Sequence, residues 1–243
     1  MERPDFDLLA VGKWAIPPSL GVQPGRAMIL FGVRSPLVVD YEETCGRLGI
    51  EISSAVSVNG APRIIDRSRV VELAEFDPCA ARDVFIACAF SPERRAALKE
   101  LATKLGLALS AALVDPTAIL PRTTKLGAGS FVNAGVVLGA ASIIGENVVV
   151  NRSASLGHHT VLGDNVSIGP GATLAGNIHV GAGSLIGAGA VVLPHLRIGE
   201  GVVVAAGSLV RRHVPAGAFV AGHPAVQQRF RPGSSSLNLA DSE

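Results

Sequence analysis

The chain has 243 residues, a formal net charge of +1, and 48% hydrophobic but only 17% charged residues. A pI near 7.8 without clustered Lys and Arg excludes the basic stripe of a nucleic-acid binder, and a mean hydropathy of +0.42 comes with no apolar run approaching the ~20 residues of a membrane-spanning helix. Its 28 glycines stand against ten aromatics, which points to a core of aliphatic and small residues at short regular spacing, a repeat architecture.

Residues 1–26 read as an extension. Asp5, Asp7 and the Pro17-Pro18 pair stand where a secretion signal would need a basic start and an apolar stretch, so a cytoplasmic protein is expected. Residues 27–33 (AMILFGV) and 83–90 (DVFIACAF) are apolar runs of strand length, and a helix is expected over 36–48. Ser91-Pro92-Glu93 opens a second helical pattern through Leu105 that Gly106 can close; Arg94, Arg95, Lys99, Glu100 and Lys104 read as the polar side of an ordinary surface helix. Residues 27–113 therefore predict a small α/β, Rossmann-like domain with a parallel sheet. Cys45, Cys79 and Cys88 are odd in number, contain no CxxC and lie in the first 90 residues, so neither a disulfide frame nor a metal site is expected.

From Val114 to Val210 an Ile, Leu or Val recurs every six residues without a slip. The residue four places after each is Ala, Ser, Thr, Val, Ile or Leu, and the residue directly after each aliphatic is most often Gly. Period six is neither the 3.6 of a helix nor the two of an ordinary strand; it fits a solenoid of short strands with glycine easing the corners. Three hexapeptides make one coil, so residues 18 apart should stack at about 4.8 Å. The repeats are expected over 114–215, followed by a closing segment and a solvated tail over 216–243, of which 231–243 is the most polar. Within 114–215 lie 17 of the 28 glycines and one aromatic, Phe131, as expected of a lumen too narrow for rings.

The segment Asn151 through Asn177, NRSASLGHHTVLGDNVSIGPGATLAGN, together with the α/β unit before it, resembles acetyl-coenzyme A-dependent sugar acetyltransferases of the sialic acid O-acetyltransferase and bacillosamine N-acetyltransferase type. The resemblance covers about residues 27–228 and implies a left-handed parallel β-helix, a homotrimer with sites between subunits, acetyl-coenzyme A as donor and a small, sugar-derived acceptor. It implies His158 as general base, an imidazole being suited to proton removal near neutral pH. It further implies the Gly176 amide as oxyanion donor, and coenzyme contacts at Ser167, Ala188 and Ala206. The absence of cysteine from the repeats favours direct transfer over an acyl-enzyme. The family's Asp or Glu after the base is here His159, a second catalytic candidate, and Asp164 could supply a carboxylate instead.

On the acceptor side the resemblance implies Asn151 and the turn after the first strand. That turn reads Gly32-Val33-Arg34-Ser35-Pro36 and keeps one glycine of the family's phosphate-binding GAGGxG, with Arg34 as a substitute charge and Pro36 offering no N–H. The 18-residue period also sets His159, Asn177, His195 and His213 in one column, read here as a groove wall. Two other classes stay open. A catalytically silent trimeric scaffold is one. A zinc hydratase of the gamma carbonic anhydrase type, using His159 and His195, is the other, although the H-x-x-x-x-H spacing it needs is absent.

Overall fold

The computed structural model describes residues 27–228; the extension at 1–26 and the tail at 231–243 lie outside the described residues. The front part is a five-stranded parallel sheet of β1 (Met28–Phe31), β2 (Ile52–Ser57), β3 (Val70–Glu72), β4 (Val84–Ala87) and β5 (Ala108–Leu109), in the order β3-β2-β1-β4-β5. A parallel sheet needs cover on both faces, and β1 accordingly is apolar and fully buried. Helix α1 (Val38–Leu48) starts two residues after the expected point and ends at Gly49, φ 65°. Helix α2 (Pro92–Lys104) has the expected start: the Ser91 hydroxyl accepts from the Arg94 N–H at 3.3 Å, and Gly106, φ 84°, follows its end. Strands β2, β3 and β5 were not apparent in the sequence, because β2 (ISSAVS) is half serine and the other two are short edges.

The second part is a parallel β-helix. Leu113–Val114 pairs with Phe131–Val132, which pairs with Val149–Val150, and so on at 18-residue intervals. Three sheets result. One carries Phe131, Val149 and Ser167; a second carries Val137, Ser155 and Thr173; a third carries Lys125, Ile143, Val161 and His179. The inward column is buried along the coils, with Leu120 and Leu126 of the first coil only partly covered.

The corners show why glycine is abundant, and it is for two reasons. Every sixth residue from Gly129 to Gly207 has positive φ, between 55° and 68°. Seven of these are glycine, three asparagine, two histidine, one alanine and one serine, the residues that best tolerate the left-handed region leading the list. A second column, the residue after each inward aliphatic, packs directly on the next coil: a Cβ on Gly139 would lie 2.2 Å from the His158 nitrogen, and one on Gly157 2.6 Å from Gly176 N.

The last coil is shorter. Val214 bridges Ile198 and Phe219 pairs with Val203, each 16 residues apart, and an antiparallel strand, Ala225–Gln228, then pairs with Phe219–Gly222. This change of register removes His213 from the expected column. Its Nδ1 instead accepts from the Arg197 N–H at 3.0 Å on the third face.

The two parts share a core. Leu113, Phe131 and Val149, all outward-pointing, are buried with Met28, Leu30, Val38, Tyr41 and Cys88, and the Tyr41 ring stacks on Phe131 at 4.0 Å and 27°. Phe131 thus lies outside the lumen, against the front domain, and not within the narrow prism. Burial in this core pushes the Tyr41 hydroxyl well above the ordinary tyrosine range and the Cys45 thiol up to about 12.

Arg95 corrects the surface-helix reading of α2. It is fully buried, and its guanidinium donates to the carbonyls of Ala89, Phe90, Asn147, Asn165 and Val166 and to the Ser167 hydroxyl, all at 2.8–2.9 Å. Desolvation lowers its pKa to about 10, so it stays cationic at neutral pH. Lys99 of the same helix pairs with Glu146. From α1, Arg47 and Thr44 donate to Asp115 at the first coil, and Asp40 accepts from Asn133 and Arg152.

Candidate active site

His158 and His159 form one corner of the prism, between the second-face strand Ser155–Leu156 and the third-face strand Val161–Leu162. The coil stack fixes their backbone from both sides: the His159 N–H donates to Ala140 O at 2.9 Å, and the Asn177 N–H donates to His158 O at 2.8 Å. Both side chains are exposed, and their Nδ1 atoms are 2.9 Å apart. The other edge of the His158 ring faces Gly176, one coil further on, where a Cβ would lie 2.6 Å from both Nε2 and Cε1. Only glycine leaves room for the imidazole there. Among the described residues the Gly176 N–H donates to no protein group, so a hydrogen-bond donor stands free beside the ring nitrogen. A base and an unspent donor next to each other are what acyl transfer to a nucleophile requires.

His159 owes its presence at this corner partly to backbone conformation, with φ 57°; Asn177 and His195 occupy the same left-handed slot at 58° and 63°. The column that suggested a groove wall is therefore a column of corner residues, and it stops at His195. Asp164 is not available to His158: it sits at the next corner and accepts from the Glu146 N–H at 2.8 Å.

The other expected site residues fall elsewhere. Ala188 and Ala206 are exposed and stack at the corner between the first and second faces, pressed onto Gly169 and Gly187. Asn151 shares that corner in the coil of His158 and is nearly buried; its Oδ1 accepts from Asn133 Nδ2 at 2.9 Å and from the Arg152 N–H at 2.7 Å. Ser167 is a correction. It is fully buried, donating to Phe90 O and accepting from Arg95, so its hydroxyl belongs to the joint between the two parts and is closed to a coenzyme.

Gly32 and Arg34 lie at the C-terminal end of β1. Gly32 has φ 87°, and a Cβ there would strike Leu98 at 2.4 Å, so its glycine is required by helix packing as well as by conformation. Arg34 donates to Asn59 O at 3.2 Å, and the Arg63 N–H to Val33 O at 2.8 Å, so the loop after β2 covers this turn. The sheet order reverses between β1 and β4, the point where open α/β sheets hold ligands. Arg94 stands at the same place. Burial first and the nearby Arg34 second hold its pKa below the usual guanidinium range.

In a single chain the expected residues thus form three groups: the His158 corner, the Asn151–Ala188–Ala206 corner across the second face, and the end of β1. Among the described residues no three His, Cys, Asp or Glu side chains come together as a metal site, and no helix is long and apolar enough to cross a membrane. His159 and His195 lie two coils apart, about 9.6 Å along the stack, twice the strand spacing.

The repeats are of the bacterial transferase hexapeptide type: residues 141–176 and 177–212 each match that family of six repeats. With the α/β domain before it, the chain has the make-up of a hexapeptide-repeat acyltransferase. A search of the curated proteins finds no match. Among solved structures, it is similar to a histidine-to-asparagine mutant of perosamine N-acetyltransferase from Caulobacter crescentus, in complex with CoA and GDP-perosamine. That likeness has 25% identity and a TM-score of 0.77, over 86% of this chain and 100% of that one. It is also similar to the acetyltransferase domain of PglB from Neisseria gonorrhoeae in complex with acetyl coenzyme A (29% identity, TM-score 0.69, 84% and 99% covered). WeeI from Acinetobacter baumannii is a third (25%, 0.68, 84% and 100%).

Proposed function

We propose that this protein transfers acetyl from acetyl-coenzyme A to an amine of a sugar-derived acceptor by direct attack, with His158 as general base and the Gly176 N–H binding the oxyanion. The observation that carries this reading is the His158 imidazole resting against Gly176, whose amide has no protein acceptor. His158 takes the amine proton as nitrogen attacks the thioester carbonyl, and the amide offsets charge on the carbonyl oxygen. The neighbours that carry CoA, acetyl coenzyme A and GDP-perosamine support this donor and an amino-sugar acceptor. At Ala188 and Ala206 small side chains leave the corner backbone bare, which suits an extended pantetheine arm.

Acetyl-coenzyme A as donor supports a cytoplasmic protein, and a homotrimer would bring one chain's His158 corner against another's Ala188–Ala206 corner. Supporting this assembly, three of the exposed large apolar residues, Val137, Ile143 and Leu193, flank the His158 corner. At the end of β1, the approach of Arg34 to Arg94 at a topological switch point favours an anionic acceptor such as a nucleotide diphosphate sugar.

The test is release of free thiol from acetyl-coenzyme A with GDP-perosamine and related amino sugars as acceptors. His158→Ala should abolish turnover; turnover at the wild-type rate would sink the mechanism. Gly176→Ala keeps its backbone N–H and should fold, since the ring can swing away from the new methyl, but should lose about 10²-fold or more in kcat through the displaced base.

A further inference from the structure

The contact between His158 and His159 carries an inference that rests on the general-base reading. The Nδ1 atoms are 2.9 Å apart and the rings stand at 87°. Two imidazole nitrogens at this distance need one proton between them, because two lone pairs repel and two N–H groups collide. The Nε2 edge of His158 meanwhile faces Gly176. The two nitrogens of His158 therefore face different partners, and only one arrangement of protons leaves a lone pair on the Gly176 side.

We propose that His159 is a positioning residue that fixes the tautomer of His158. His158 keeps its proton on Nδ1 and donates it to the Nδ1 lone pair of His159, whose own proton is on Nε2. The lone pair on His158 Nε2 then meets the acceptor. As the acceptor nitrogen bonds to the thioester carbonyl carbon, its N–H breaks and the proton passes to His158 Nε2. The C–S bond then breaks, and the departing coenzyme thiolate takes that proton back, so both rings end as they began. While His158 is cationic, the bond to His159 becomes charge-assisted and stronger. A neutral acceptor does here what a carboxylate does in the family this sequence resembles, without adding a negative charge beside the acceptor site.

The corner itself supplies clean controls. With φ 57° at position 159, glycine and asparagine are the residues that fit, as they do at Gly171 and Asn177 of the same series. His159→Gly removes the acceptor; His159→Asn restores one, its Oδ1 standing in for Nδ1. In histidine-labelled full-length protein at pH 8, the 15N imidazole signals should show His158 protonated on Nδ1 and His159 on Nε2. His159→Asn should keep the His158 pattern, and His159→Gly should move the His158 proton to Nε2. A wild-type His158 protonated on Nε2, or one unaffected by His159→Gly, overturns the proposal whether or not an acceptor is in hand. In the thiol-release assay with GDP-perosamine, His159→Gly should lower kcat at least tenfold with the KM for acetyl-coenzyme A unchanged, and His159→Asn should stay within threefold of wild type. If His158→Ala is inactive but His159→Gly matches wild type, the positioning role fails alone; if His158→Ala is active, the general-base reading fails with it.

Discussion

The β-helix has three faces built from one hexapeptide, and they differ in a single register position. The inward residue is an aliphatic on all three faces. The outward residue is buried against the front domain in the first four strands of the first face, at Leu113, Phe131, Val149 and Ser167, and only partly covered further along, at Leu185 and Val203. On the other two faces it includes Val137 at 40% exposure and Ile143 at 44%. The repeat builds the prism, and one column of outward residues decides what the prism binds. On the first face that column binds its own front domain, through apolar packing at its start and through Arg95 at Ser167.

The largest way to break this difference is Arg95→Leu. It leaves the carbonyls of Ala89, Asn147 and Asn165 without a donor, while Phe90 O keeps the Ser167 hydroxyl and Val166 O the Val149 N–H. It should lower unfolding stability by about 3–5 kcal/mol in urea titration, since each buried acceptor left unpaired costs about 1–3 kcal/mol. A wild-type midpoint would show that the joint is not cooperative with the fold. Phe131→Ala comes next, with about 3 kcal/mol lost through the cavity against Tyr41. Asp115→Asn should cost about 2 kcal/mol by weakening charged hydrogen bonds from Thr117, Thr44 and Arg47. Burial pushes the Asp115 carboxyl up, but those hydrogen bonds together outweigh it and leave its pKa below the ordinary value. A depressed folded-state pKa means stabilisation present above the unfolded value, about 3.9, and lost as pH falls below it. Wild type should therefore lose stability in that window faster than Asp115→Asn does, as thermal unfolding against pH would reveal. Ile143→Glu, on a free face, should change the unfolding of the isolated chain least, within about 0.5 kcal/mol. By sedimentation, however, it should dissociate the proposed trimer.

The inward column was legible because the geometry of a coil repeats whatever the chain later touches. The left-handed corners were not legible, because the glycine read from the sequence is the column after each inward aliphatic, and the separate positive-φ series of Gly, Asn and His emerges only from the backbone. What else stayed hidden depends on a partner that no period encodes. Arg95 sits among Arg94, Lys99 and Lys104 in a helix whose residues give no clear apolar stripe, so nothing marked it as buried. Ser167 matched a coenzyme position in the resemblance, yet occupies the outward column of the one face that is covered. Phe131 was the available hint, a lone ring at an outward place. At the candidate site, His158 and Gly176 were legible from the segment that carries them, whereas the Nδ1 contact to His159 required knowing how the corner turns.

The shortened last coil has a bearing on solubility. A parallel β-helix that ended on a full coil would present three open strand edges in register with the first coil of another molecule, a template for end-to-end growth into fibres. Here the coil drops from 18 residues to 16, and the first face ends in an antiparallel strand, Ala225–Gln228. The edge it offers no longer matches a hexapeptide coil, so a stack of such molecules has no regular way to propagate.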